Sequence, residues 1–266
     1  MDFQRYLSAK RSVDARAFNP QVWQALLDWA IESPRPLRVL DIGGGSGAMA
    51  ARILAAGLPR PIEYTLVDQQ AANLSAAQAT LGTQINHYVT ADIFAFLAER
   101  PGERWDLLVA HAFLDLIDLQ SQLPLLLNAL RPEGALYAPI NFDGETRFAP
   151  DLQPDFERVL LEGYHASMRD PHTGRRLAGA LAAAGLELRA SGRADWVVEP
   201  QHGAYPADEA YFLDFILHTI EQEMRGRPGI DAAALDAWLA ARRAQIKRGE
   251  LRFRARNLDY FALKSR

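Results

Sequence analysis

The run Arg38-Val39-Leu40-Asp41-Ile42-Gly43-Gly44-Gly45-Ser46-Gly47-Ala48 constrains this chain more than any other segment. A short apolar stretch ends in an acid, passes into a glycine-dense turn, and leads into alanine-rich sequence that predicts a helix. Glycine lets a backbone turn tightly and lets a ligand approach it closely. The helix that follows aims its free N–H groups and positive dipole end back at the ligand. Strand, turn and helix in this order form the geometry of a nucleotide-type cofactor site. Gly43, Gly45 and Ala48 satisfy the loose G-x-G-x-x-A pattern of dinucleotide enzymes. Asp41, however, would repel a pyrophosphate and suits a cationic group such as an ammonium.

The length of 266 residues suits one large domain or one domain with an added lid, and 49% hydrophobic residues are ample for a core. A net charge of −4 and a pI near 5.9 argue against a nucleic-acid partner, which wants a basic footprint. The absence of cysteine removes disulfides, thiol nucleophiles and thiolate zinc sites, and is compatible with a cytoplasmic setting. No apolar stretch approaches membrane-spanning length, so no membrane partner is expected. A homodimer is left open.

Strands alternate with helices along the first half. Asn19-Pro20 reads as a helix start, with Trp23, Leu26, Leu27 and Ala30 on one face and Ser33-Pro34 as the stop. After the glycine turn, strands are predicted over 62–68, 85–92, 105–112 and 135–142, with Arg131-Pro132-Glu133-Gly134 as a turn. This spacing predicts βαβ units and a parallel sheet. In the second half, helices are predicted over 176–184, 208–224 and 231–246, and strands over 186–198 and 251–263.

The pattern Asp41-x-Gly43-x-Gly45-x-Gly47, with this alternation, resembles the class I S-adenosylmethionine-dependent methyltransferases over about residues 37–142. The resemblance implies an α/β fold, a doubly wound, mostly parallel seven-stranded sheet with an antiparallel last strand and helical lid insertions. The implied organisation is an N-terminal helical cap at 1–36, a Rossmann-like core at 37–199 and 251–266, and lid insertions at 145–175 and 200–250. The implied cofactor is S-adenosyl-L-methionine. The family's glycine loop, here Gly43, Gly45 and Gly47, hugs its aminoacyl portion, and Asp41 helps hold its ammonium.

Ligands of doubly wound sheets sit at the C-terminal strand ends. Asp68 ends strand two, where an acid accepts from ribose hydroxyls; a helix-capping acid is the alternative. Asp92 ends strand three, where the resemblance implies acceptance from the adenine amino group with Ile93 packed on the ring. Capping is again the alternative, but Asp92 favours S-adenosylmethionine over NAD. Ala110 ends strand four beside the cofactor. His111 follows where donor and acceptor meet, and either takes a proton or merely packs. Asn141 either bonds an acceptor or braces its loop. His165 belongs to an insertion expected to overhang the site. Arg16 either pairs with the cofactor carboxylate or lies on a solvated helix face.

Other chemistries find less support. No H-E-x-x-H or paired metal-ligand spacing is present, and Ser46 lies in no G-x-S-x-G elbow. The Asn/Asp-Pro-Pro-aromatic tetrad of enzymes methylating exocyclic amino groups is missing after strand four. The basic tail, with Arg252, Arg254 and Arg256 alternating with Phe253 and Ala255, reads as one exposed strand face. Tyr6, Phe18, Tyr164, Tyr205 and Tyr211 suggest an apolar or planar acceptor. The reading is methyl transfer to an oxygen or nitrogen of a small-molecule acceptor. An RNA methyltransferase, a dehydrogenase and a non-catalytic cofactor-binding domain are the alternatives.

Overall fold

Strand β1 (Leu37–Ile42) forms because four of its residues, Val39, Leu40, Asp41 and Ile42, are completely buried between layers of helices. It pairs in parallel with β2 (Ile62–Asp68) on one side and β4 (Trp105–Val109) on the other. In the computed structural model, which describes residues 1–265, this strand lies inside an eight-stranded sheet. The path is β3-β2-β1-β4-β5-β8-β6, with β3 (His87–Thr90), β5 (Leu130–Ala149), β6 (Leu186–Arg193) and β8 (Arg252–Lys264). Short β7 (Trp196–Val198) pairs with β8 off this path, adding an eighth strand to the seven expected. The first five strands are parallel, and β6 and β8 are antiparallel to each other.

The chain divides into two compact units. The sheet unit holds Phe18–Asp143, His172–Ala194 and Asn257–Arg266. One face of its sheet packs Val39, Tyr64, Leu66 and Tyr137 against Val22 and Leu26 of α2 (Pro20–Glu32), Met49 and Ile53 of α3 (Ala48–Ala55), and Leu74 of α4 (Ala71–Leu81). The other face packs Leu40, Ile42, Leu108 and Leu136 against Phe96 of α5 (Ile93–Ala98), Leu126 of α6 (Leu123–Leu127), and Leu177 and Leu181 of α8 (Thr173–Ala183). Helices on both faces explain why the central strands β1 and β4 are buried almost throughout.

The helical unit holds Met1–Ala17, Gly144–Pro171 and Asp195–Arg256. In it α1 (Phe3–Ala17) packs on α9 (Glu209–Met224), with Tyr6 stacked 4.1 Å from Phe215. The interior of α10 (Ala232–Lys247) carries fully buried Arg242, which bonds Glu157 of α7 (Pro154–Ser167), the Pro150 carbonyl and Gln245. These boundaries differ from those expected. Residues 18–36 belong with the sheet, and 195–199 and 251–256 belong with the helices.

Two elements differ from expectation for local reasons. Arg131-Pro132-Glu133-Gly134 turns inside β5 and does not precede it. Pairing jumps from Trp105↔Leu130 to Leu107↔Ala135, so these four residues bulge opposite Asp106, whose carboxylate accepts from Arg131 at 3.0 Å. The strand expected over 186–198 is two strands, interrupted where the Ala194 N–H donates to the Asn257 carbonyl. Val22, Leu26 and Ala30 form the buried stripe of α2, with Trp23 and Leu27 on its flanks.

Candidate active site

The site is built from the glycine turn upward. Gly43, Gly45 and Gly47 all take positive φ, at 63°, 55° and 76°, which L side chains adopt only under strain. The turn spends its amides internally. Gly44 N–H donates to the Val67 carbonyl (3.1 Å), Gly47 N–H to the Gly44 carbonyl (3.0 Å), and Gly45 N–H to Oδ2 of Asp68 (3.0 Å). A phosphate-binding loop needs such N–H groups free and has no use for a carboxylate among them. A side chain at Gly43 would strike the Phe113 ring at 2.7 Å, whereas one at Gly45 would meet nothing within 4 Å. The space above Gly45 is open, and Asp68 is bonded to its amide.

Asp41 lies beneath this turn with no solvent exposure. Its Oδ2 accepts from the Tyr64 hydroxyl at 2.9 Å, and its Oδ1 is buried with no hydrogen-bond partner among the described residues. Burial pushes the Asp41 carboxyl up to about 7. The Tyr64 hydrogen bond opposes the rise, and the nearby Asp68 charge adds to it. Burial, then the neighbouring acid, holds the Tyr64 phenol well above its ordinary value, so it stays a donor.

Asp68 closes β2 with both oxygens engaged: Oδ2 by Gly45, and Oδ1 by the Gln70 N–H (2.8 Å) and the Asn73 amide (3.0 Å). This ties the turn to the start of α4 and leaves one acceptor site, on Oδ2, beyond these three bonds. Asp92 caps α5, its Oδ1 accepting from Phe94 and Ala95 N–H at 2.9 and 3.0 Å. Its Oδ2 accepts from Gln69 at 2.6 Å, which links the ends of β2 and β3. Ile93 beside it is buried.

Ala110 is completely buried at the end of β4. His111 follows, half-buried, its ring 5.5 Å from that of Phe18. Next, Ala112 takes a positive φ of 49° and donates to the Pro139 carbonyl, and Ile140 takes 59°. A β-branched residue there is a backbone outlier. Buried Asp259 holds it, accepting from the Ile140 N–H at 2.7 Å and from the Asn19 N–H at 2.8 Å. Asn141 lies within β5, not in a loop after it, and its side chain braces that strand by donating to the Ala138 and Leu258 carbonyls, with its own oxygen buried.

The sheet unit therefore brings together Asp41, Gly43, Gly45, Gly47, Asp68, Asp92, Ile93, Ala110 and His111. Arg16 and His165 belong to the helical unit. Arg16 is committed to fully buried Glu209 through two contacts of 2.6 and 2.9 Å, while its own side chain stays 46% exposed on the helix face. His165 Nε2 lies 3.0 Å from the Thr146 hydroxyl. Several aromatics offered for an acceptor are also tied up. Tyr6 stacks on Phe212 and Phe215, Tyr205 donates to the Leu251 carbonyl, and Tyr211 donates to the Asp2 carbonyl. Arg254 and Arg256 pair with Asp195 and Glu145. Among the described residues no group of three His, Asp or Glu is placed to hold a metal ion, and no helix is long and apolar enough to cross a membrane.

Sequence reasoning passed over Tyr64, Gln69, Phe113 and Asp259. Tyr64 sits mid-strand, where a tyrosine reads as core. Only the pairing of β1 with β2, which sets Tyr64 opposite Val39 on the side that Asp41 shares, brings its hydroxyl to the turn acid. Asp259 lies far away in sequence and carries no local motif.

Residues 40–136 match the family model described as a methyltransferase domain. No curated protein matches the chain. A methyltransferase from Thiobacillus denitrificans, solved with S-adenosyl-L-homocysteine, is 19% identical with a TM-score of 0.53, covering 100% of both chains. The YcgJ protein of Bacillus subtilis is 14% identical with a TM-score of 0.54, covering 93% of this chain and 100% of its own. The architecture shared with these structures is the Rossmann-like sheet.

Proposed function

We propose that this S-adenosylmethionine-dependent methyltransferase delivers its methyl group to an oxygen or nitrogen of a small-molecule acceptor. The observation that carries the donor assignment is the glycine turn itself. Its Gly44, Gly45 and Gly47 amides are consumed internally, one by Asp68, and an unsatisfied Asp41 oxygen lies beneath. That arrangement favours a ligand with a cationic amino-acid tail over a diphosphate. Asp41 supplies the counter-charge to the ammonium, and Gly43, Gly45 and Gly47 admit the tail. Asp68 accepts from the ribose, Asp92 accepts from the adenine amino group, Ile93 packs on its ring, and Ala110 lines the approach.

The bound donor supplies an electrophilic methyl sulfonium. The chain's task is to align the acceptor atom with the methyl carbon and to exclude water. The acceptor lone pair forms the new bond as the sulfur–carbon bond breaks, and the sulfur leaves as a neutral thioether. A hydroxyl acceptor also loses a proton. His111, at the end of β4 in the donor's unit, is the base offered for it. His165, bonded to Thr146, is the second candidate.

The acidic balance of the chain supports a small acceptor over RNA. The test is transfer of radiolabelled methyl from S-adenosylmethionine into a cell extract, followed by nuclease, protease and size fractionation. Label in the small, nuclease-resistant fraction is expected. Label lost to nuclease makes the chain an RNA methyltransferase, and donor binding without any transfer makes it a non-catalytic domain. Calorimetry is expected to show binding of S-adenosylmethionine and none of NAD.

A further inference from the structure

The Asp41 carboxylate is sealed from water, so its influence on a ligand is exerted by its charge through a low-dielectric layer more than by contact. Whether it carries that charge is therefore decisive. A buried carboxyl with no partner stays protonated, and a neutral acid offers an ammonium little. Among the described residues, Asp41 accepts one side-chain hydrogen bond, from Tyr64 on the neighbouring strand. The phenol is itself fully buried, and burial holds it far above its ordinary value, so it cannot take over the negative charge.

We infer that Tyr64 is a positioning residue for the methyl donor: its hydroxyl fixes one Asp41 oxygen as an ionised acceptor, so that the carboxylate keeps the charge that acts on the donor's cationic amine from beneath the turn. This rests on the reading of Asp41 as counter-charge to that amine. The surroundings make the arrangement sensitive. From β2, Tyr64 and Asp68 act on Asp41 in opposite senses. Leu66 and Val109, its register neighbours on β2 and β4, carry no charge, and neither does Gly44, where a side chain would lie 3.0 Å from the Asp41 Cγ. With the carboxyl pushed up to about 7, a single hydrogen bond determines how much of it is ionised near neutrality. Donor binding then favours the ionised form and releases a proton.

The experiment is calorimetric titration with S-adenosylhomocysteine, which keeps the amino-acid tail and does not turn over. It is run from pH 5.5 to 9 on the intact chain, Asp41→Asn and Tyr64→Phe, in two buffers of different ionisation enthalpy. The ligand's own amine titrates identically in all three proteins. The intact chain is expected to gain affinity as pH rises through about 7, releasing a proton below that point. Asp41→Asn is expected to lose this rise. Tyr64→Phe is expected to move the rise upward by about one pH unit, binding roughly fivefold more weakly at pH 7 and converging with the intact chain at high pH.

A Tyr64→Phe profile that superimposes on that of the intact chain, or is weaker by one factor at every pH, overturns the role of Tyr64 while leaving Asp41 in place. An Asp41→Asn profile that keeps the rise overturns the Asp41 reading instead. Should Tyr64→Phe fail to fold, 3-fluorotyrosine at position 64 makes the hydroxyl a stronger donor and is expected to move the rise to lower pH. An unmoved rise is then the overturning result.

Discussion

Asp41 carries a conflict between stability and binding. Its folded-state value near 7 lies above the 3.8 of an ordinary aspartate, so the folded chain holds this proton more tightly than the unfolded one. The stability it confers is complete below about pH 4 and is lost as pH rises through about 7, a change on the order of a few kcal/mol. Asp41→Asn lacks this titration. Urea unfolding at pH 5 and pH 8 is expected to show the variant gaining on the intact chain at the higher pH, and a gap equal at both values would mean that Asp41 does not titrate. The glycines divide differently. Gly43→Ala drives a methyl into the Phe113 ring at positive φ, and is expected to destabilise by about 1–3 kcal/mol in thermal melts. Gly45→Ala costs only about 1–2 kcal/mol of backbone strain but fills the open space above the turn, so calorimetry is expected to show donor binding lost from a folded protein. At this scale the sequence displays the residues of the proposed donor cradle, because they are contiguous or terminate predictable strands. It conceals Tyr64 and Asp259, whose partners lie on other strands, and it conceals the engagement of Arg16 by Glu209 across 193 residues.

Helices and strands show where local signals suffice. Asn19-Pro20 announces α2, and the Asn19 side chain accepts from the Gln21 and Val22 N–H groups as a cap should. It also donates to the Arg193 carbonyl, so Asn19→Ala loses two functions. Chemical denaturation is expected to show a loss of about 1–2 kcal/mol, and a loss of only a few tenths would reduce Asn19 to a replaceable cap. β5 shows where local signals mislead. Pro132 and Gly134 predict a turn correctly, but only the pairing with β4 reveals that the strand begins before it and absorbs it as a bulge. The alternation of Arg252, Phe253, Arg254 and Ala255 was legible because period two needs no partner to be seen.

Over the whole molecule, the chain passes between its two units after Ala17, Asp143, Pro171, Ala194 and Arg256. Neither unit is a contiguous piece of sequence, so no boundary between them is marked by a linker that the sequence alone would show. A fragment ending at Asp143 matches the region of clearest family resemblance yet lacks β6 and β8. It is expected to show no cooperative melt and no donor binding, and a folded, binding fragment would show that the first five strands suffice. The strand order has a consequence for synthesis. β8 lies between β5 and β6 but is translated after both. At about 5–20 residues per second, β6 waits roughly 3–12 s on the ribosome for the neighbour that will divide it from β5. During that interval two unfinished edges stand exposed, and nascent chains are most open there to mispairing or capture by a chaperone.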